Sequence, residues 1–343
     1  MQNISKIRNE LNDNQAFLIK NPQNRRYLTS FDSSDGYLVI KKDDERFFVD
    51  SRYFESAKIK SKIKTDLFLN FDSLKDFLAD IQDIFIETDK TSLYDYDRLK
   101  KIFDDKNLLN DNKMTEILKN LRRHKSIDEK NKILKAQEIA EKALDKTLAK
   151  LSAGITEKEL AAKLEYNMSI LGSEKPSFET IVLFGEKTSV PHGVPGDKKL
   201  NKNDIILIDF GAVFEGYHSD MTRTILVGDP GEKIKTIYNL VLKVQEECIN
   251  ATKKGMKLSR LHNLAVELFG DKSKYFTHSL GHGVGLDIHE NPTVSFKSEQ
   301  VLEDGDIITI EPGLYFENEF GIRIEDMIYM NNNKSENLTK YKK

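Results

Sequence analysis

Apolar and polar positions recur with two different periods along this chain, and each change of period marks an element. After Ser126, the residues Ile133, Ala136, Ala140, Ala143, Leu144, Thr147, Leu148 and Leu151 follow helical spacing. They predict a long amphipathic helix, opened by Ser126 and Glu129 at capping-box spacing and stopped by Gly154. A second helix is capped by Thr156 with Glu159 and ends at Gly172, ahead of a strand around Ile181. The order then returns, with helices from about Glu232 to Lys254 and from Leu258 to Phe269, followed by strands. Each half of this region is two helices and then strands. Before residue 120 the short runs AFLI, YLVI, RFFVD and DIFIE lie between helical segments and predict a separate α/β domain. The polar stretch from 104 to 113 reads as a surface loop. The boundary falls near 120–128, which divides the chain into 1–124 and 125–343.

Within the strands one phrase occurs twice, LNKNDIILIDFG from Leu200 to Gly211 and LEDGDIITIEPG from Leu302 to Gly313. Each is a β-branched run that ends in an acid, Asp209 or Glu311. Each is followed by a turn, VFEG or ENEFG, and by a returning strand, which is a hairpin signal. Opposed positions in an antiparallel pair have a constant sum of residue numbers. A turn centred between Phe214 and Glu215 sets Asp209 opposite Asp220, and one centred on Asn318 sets Glu311 near Glu325. Two carboxylates forced together away from water are costly. Either one acid of each pair keeps a proton, or a divalent cation sits between them.

The segment THSLGHGVGLDIHENP holds three of the seven histidines. Its glycines oppose a helix, so at ~3.3 Å per residue in an extended chain His278 and His282 stand roughly 13 Å apart on one face. One is then a metal ligand and the other lines the cleft. Four carboxylates and an imidazole suit two borderline-to-hard divalent ions, such as Mn, Co, Fe or Zn. Two such ions about 3.5–4 Å apart hold a hydroxide and polarise a carbonyl, which is hydrolytic chemistry. The only cysteine, Cys248, falls in a helical stretch and reads as a core residue.

The phrases SFETIVLFGEKTSVPHGVPGDKKL, IDFGAVFEGYHSDMTRT, HSLGHGVGLDIHENP, EPGLY and FGIRIEDM, in that order, resemble the pita-bread metallopeptidases: methionine aminopeptidase, aminopeptidase P and prolidase. The resemblance runs from about Ser126 to Met330. It implies an α/β (α+β) chain whose C-terminal pita-bread domain has pseudo-two-fold halves of a helix pair and antiparallel strands. It implies Asp209, Asp220, His282, Glu311 and Glu325 as metal ligands, with Asp220 and Glu325 bridging. His192 and His289 match histidines that contact the substrate, and Glu311 matches the acid/base. His278 and Arg323 match positions of the proline-specific branch. NRRYLTSFDSSDGYLVI and FFVDSRYFESAK resemble the creatinase-like N-terminal domain of aminopeptidase P, which methionine aminopeptidases generally lack. The resemblance therefore implies a metal-dependent aminopeptidase that cleaves the N-terminal Xaa-Pro bond of peptides, with prolidase, the Xaa-Pro dipeptidase, as the alternative. Manganese is the metal expected first, and a homodimer is the expected assembly.

Composition narrows the remaining classes. A net charge of -3 gives no electrostatic case for nucleic acid. One cysteine excludes an internal disulfide. The polar N-terminus MQNISKIRNELNDNQ lacks the apolar core of a signal peptide, and no apolar run approaches a membrane span. A cytoplasmic enzyme without a membrane partner is expected.

Overall fold

The computed structural model describes residues 2–343 and separates into two compact units, Met1–Arg122 and Arg123–Lys343. The first is built on a six-stranded mixed sheet: β1 (Gln15–Ile19), β2 (Tyr37–Lys41), β3 (Glu45–Val49), β4 (Thr65–Leu67), β5 (Asp83–Ile86) and β6 (Asn107–Leu109). Its order is β4-β3-β2-β1-β5-β6. The four apolar runs read from the sequence are β1, β2, β3 and β5, which form the buried middle of this sheet with β-branched and aromatic side chains on both faces. The stretch 104–113 is not only loop. Asn107–Leu109 pairs in parallel with β5 as an edge strand, since Leu108 and Leu109 pack on the cores of the two faces.

The second unit repeats one design. Helices Ile127–Leu148 and Glu157–Ile170 both start in full capping boxes, at Ser126/Glu129 and Thr156/Glu159. They pack Ile139, Ala140, Leu144, Leu160 and Leu164 against a three-stranded sheet of β7 (Ile181–Phe184), β8 (Asp204–Phe210) and β11 (Met221–Val227). Between β8 and β11 lies the small hairpin β9 (Val213–Phe214) and β10 (Tyr217–His218). Helices Glu232–Ala251 and Leu258–Phe269 likewise pack Val241, Val244, Leu258 and Leu261 against the second group of strands. That group is β12 (Gly281–Gly283), β13 (Glu290–Val294), β14 (Ile307–Ile310), β15 (Gly313–Phe316), β16 (Phe320–Arg323), β17 (Asp326–Asn331) and β18 (Lys334–Asn337). Its larger sheet has the order β13-β12-β14-β17-β18, and β15 pairs with β16. Cys248 is buried in the helix-facing core, as its apolar setting implies.

The two long hairpins differ in register. In the second, Ile310 faces Asp326 and Gly313 faces Arg323, so Glu311 opposes Glu325 about a turn whose Asn318 adopts a φ of 58°. In the first, Asp209 opposes Thr222, not Asp220. The turn falls one position later than the sequence suggested, at Glu215 and Gly216, which take φ values of 47° and 81°. The resulting shift is two residues, so Asp220 keeps the face of Asp209. It leaves the ladder where Gly211 passes Ser219. A Cβ on Gly211 would lie 1.8 Å from the Ser219 carbonyl oxygen, so only glycine allows that approach.

Candidate metal centre

Four acids reach one buried place from four strand ends. Asp209 is the penultimate residue of β8, Asp220 precedes β11, Glu311 follows β14 and Glu325 precedes β17. His282 comes from β12, where its N–H donates to Thr309 Oγ1 (3.1 Å). Its Nδ1 lies 3.1 Å from Gly283 O, a contact that suits the Nδ1–H tautomer and leaves the Nε2 lone pair free. Nε2 stands 3.4 Å from Asp220 Oδ2 and 3.5 Å from Glu311 Oε1. Asp220, His282 and Glu325 each offer a ligand atom within 4.8 Å of the others.

The surroundings treat these acids unequally. Thr222 Oγ1 donates to Glu325 Oε2 (2.7 Å) and Thr309 Oγ1 to Glu311 Oε1 (3.2 Å). Asp209 Oδ2 receives Arg323 Nη2 at 2.6 Å. Asp209 Oδ1 and Asp220 Oδ1 are buried without a hydrogen-bond partner. Burial and then the charge of neighbouring acids raise the Asp220 and Glu325 carboxyls well above the ordinary range, and burial pushes Glu311 up to about 8. Burial also lowers His282 and His278 to about 3, so both rings are neutral. Orphaned carboxylate oxygens, crowded negative charge and a neutral imidazole form a donor set that fits divalent cations.

The remaining candidates surround this cluster. His192, His278, His289 and Arg323 line, with the five residues above, a cavity of about 580 Å³. The His289 ring stands 4.2 Å from that of His282, centre to centre, nearly perpendicular to it. His278 and His282 are closer in action than an extended chain implies. Both face the Glu311 carboxylate, His278 Nδ1 at 4.0 Å from Oε2, because the chain before β12 is not extended as a strand. His218, which follows the turn, is buried outside the cavity lining, and burial lowers it to about 4.

Three polar side chains were not read from the sequence as part of this site. Tyr315 Oη meets His278 Nε2 (3.0 Å) and accepts from Arg323 Nη1 (2.6 Å). Thr222 accepts from Arg323 Nε (3.1 Å) while donating to Glu325. Thr309 is the third. A signal existed, since Thr222 and Thr309 each lie two residues from an acid along a strand and share its face.

The Metallopeptidase family M24 pattern matches residues 131–332, and the Creatinase/Prolidase N-terminal domain pattern matches residues 3–124. The chain belongs to metallopeptidase family M24. This metallopeptidase is 37% identical over 346 residues to the Xaa-Pro dipeptidase of Pyrococcus furiosus, covering 99% of this chain and 97% of that one. Its fold matches the prolidase of Pyrococcus horikoshii with a TM-score of 0.94 at 36% identity, covering 100% and 99% of the two chains. It matches the X-Pro aminopeptidase of Thermotoga maritima with a TM-score of 0.91 at 34% identity, covering 98% and 97%. A creatinase-type N-terminal domain and a C-terminal pita-bread domain make up the M24 chain. Among its described residues no helix is long and apolar enough to cross a membrane.

Proposed function

We propose that this M24 metallopeptidase is an Xaa-Pro dipeptidase, hydrolysing the bond before proline in dipeptides. The observation that carries it is 37% identity, over nearly the whole of both chains, to a protein named Xaa-Pro dipeptidase. This moves the reading from the aminopeptidase suggested by the sequence to its alternative. The cavity supports the choice. A dipeptide brings a free carboxylate beside proline, and Arg323, the permanently cationic side chain in the lining, is held there by Asp209 beside His278 and His282, which burial keeps neutral. The likeness to the X-Pro aminopeptidase of Thermotoga maritima keeps longer peptides as a second reading.

Asp209, Asp220, His282, Glu311 and Glu325 are the proposed ligands of two divalent ions, with manganese first in expectation and cobalt, zinc or iron as alternatives. Divalent ions, when bound, polarise a carbonyl and make water nucleophilic at neutral pH. Glu311, facing the cavity beside His282, takes the proton from water and passes it to the proline nitrogen. That nitrogen belongs to a tertiary amide without an N–H, so no backbone donor is needed for recognition. His192 and His289 steady the carbonyl oxygen as it gains charge. Tyr315 holds both His278 and Arg323, so their mutual distance is set before substrate arrives.

The test compares an Xaa-Pro dipeptide with Xaa-Pro-Yaa and Xaa-Pro-Yaa-Zaa in the Mn²⁺-supplied enzyme. Turnover confined to the dipeptide supports the proposal. Faster cleavage of the longer peptides gives the aminopeptidase reading its place. The same reading carries a homodimer and a cytoplasmic location, the first of which light scattering measures directly.

A further inference from the structure

The segment that carries His289 depends on its ends. Gly285 to His289 is a run of bends outside any strand ladder, between β12 and β13. At its start the Gly285 carbonyl accepts from the His218 N–H (2.9 Å). At its end Glu290 meets Lys125. The ammonium lies 2.7 Å from Glu290 Oε1, with the two side chains 1% and 9% exposed. The approach is off the line of an ideal hydrogen bond, so the contact is an ion pair. The Glu290 carboxylate folds back under the bend, where a Cβ on Gly285 would lie 2.2 Å from Oε1. Through its backbone Glu290 also pairs with Gly283, beside His282.

Burying a lysine and a glutamate this deeply costs desolvation that offsets most of their attraction, and apolar residues of the same volume often hold as well. Stability alone gives little reason for such a pair. A fixed position does, and Lys125 is itself fixed. Its N–H donates to Gly305 O (2.9 Å), and Arg123 forks onto Asp306 through two bonds of 2.7 Å. The ammonium therefore projects from anchored backbone.

We propose that Lys125 and Glu290 are positioning residues for His289, clamping the end of its bend so that the ring is held against His282 and the cavity. Neither lines the cavity, so neither touches substrate. The inference rests on the proposed role of His289.

The experiment compares four proteins: wild type, Lys125→Met/Glu290→Gln, His289→Asn and the triple variant. For each, kcat and KM are measured on an Xaa-Pro dipeptide with Mn²⁺, and Mn²⁺ binding is titrated by calorimetry. The paired substitution leaves no lone buried charge. It is expected to lower kcat about tenfold or more, with a smaller change in KM and unchanged Mn²⁺ stoichiometry. On the His289→Asn background it is expected to cost nothing further. Wild-type kcat in the paired variant overturns the inference. So does a loss that persists in full without His289, or a loss of Mn²⁺ binding. If the paired variant does not fold, Glu290→Asp, which keeps both charges and shortens the reach of the clamp, replaces it under the same criteria. A wild type without turnover sinks the functional reading instead, and a crystal structure of the variant then decides. His289 unmoved in it overturns the clamp.

Discussion

The two acid-bearing hairpins have nearly the same phrase and opposite support. In the second, both glutamates accept a hydroxyl, Glu325 from Thr222 and Glu311 from Thr309. In the first, Asp209 leans on a cation, Arg323, and Asp220 has an oxygen with no partner at all. The longer glutamates reach neighbouring hydroxyls, at 2.7 Å for Glu325 and 3.2 Å for Glu311. The shorter aspartates do not reach a hydroxyl, and each keeps one buried oxygen, Asp209 Oδ1 and Asp220 Oδ1, without a hydrogen-bond partner. The crossing of partners is as informative. Thr222 belongs to the first hairpin and holds an acid of the second, while Arg323 belongs to the second and holds an acid of the first. The halves repeat in sequence, but neither completes its own half-site.

The strongest way to break this comparison is Asp220→Ala, beside His282→Ala. Each is expected to lower kcat/KM on an Xaa-Pro dipeptide by about three orders of magnitude or more and to abolish at least one Mn²⁺ site in a calorimetric titration. Full activity in either purified variant would remove the metal-centre reading. Arg323→Leu comes next. It frees Asp209 and removes the cation from the cavity, with an expected loss in kcat/KM of about a hundredfold. A variant that binds Mn²⁺ as wild type and turns over normally would show that Asp209 needs no cationic partner. Thr222→Val takes a short hydroxyl bond from Glu325 and is expected to weaken Mn²⁺ about tenfold. Thr309→Val removes the longer bond to Glu311 and is expected to weaken it by about threefold. Equal effects in these two calorimetric titrations would mean that hydroxyl distance does not rank the glutamates.

Much of the framework was legible. Both capping boxes, the helical spacing and the β-branched runs are local signals, and the strands and helices stand where those signals lie. The register of the second hairpin followed from Asn318, whose side chain favours the left-handed turn. The register of the first did not. VFEG admits two turn centres, and the choice of Glu215–Gly216 is settled by the pinch at Gly211, a contact with Ser219 eight residues on. The two-residue slip preserves the face, so Asp209 and Asp220 lie on the same side of the pair in either register. The convergence of His278 and His282 on Glu311 is not legible in their spacing, because extended-chain distances do not hold where the backbone bends. Lys125 with Glu290 lay beyond sequence reasoning, since 165 positions separate them.

Sequence by itself determined the kinds of residue and the faces they occupy. Periodicity, caps and turns act between neighbours, and a strand places every second side chain on one side wherever its partner lies. Tertiary structure alone decided which oxygen is satisfied and by what. Arg323 on Asp209, Thr222 on Glu325 and Tyr315 between His278 and Arg323 are contacts that form only when separate strands close on one another. Hydrogen bonds and ion pairs act over about 3 Å, a scale on which no spacing along the chain carries information about distant partners.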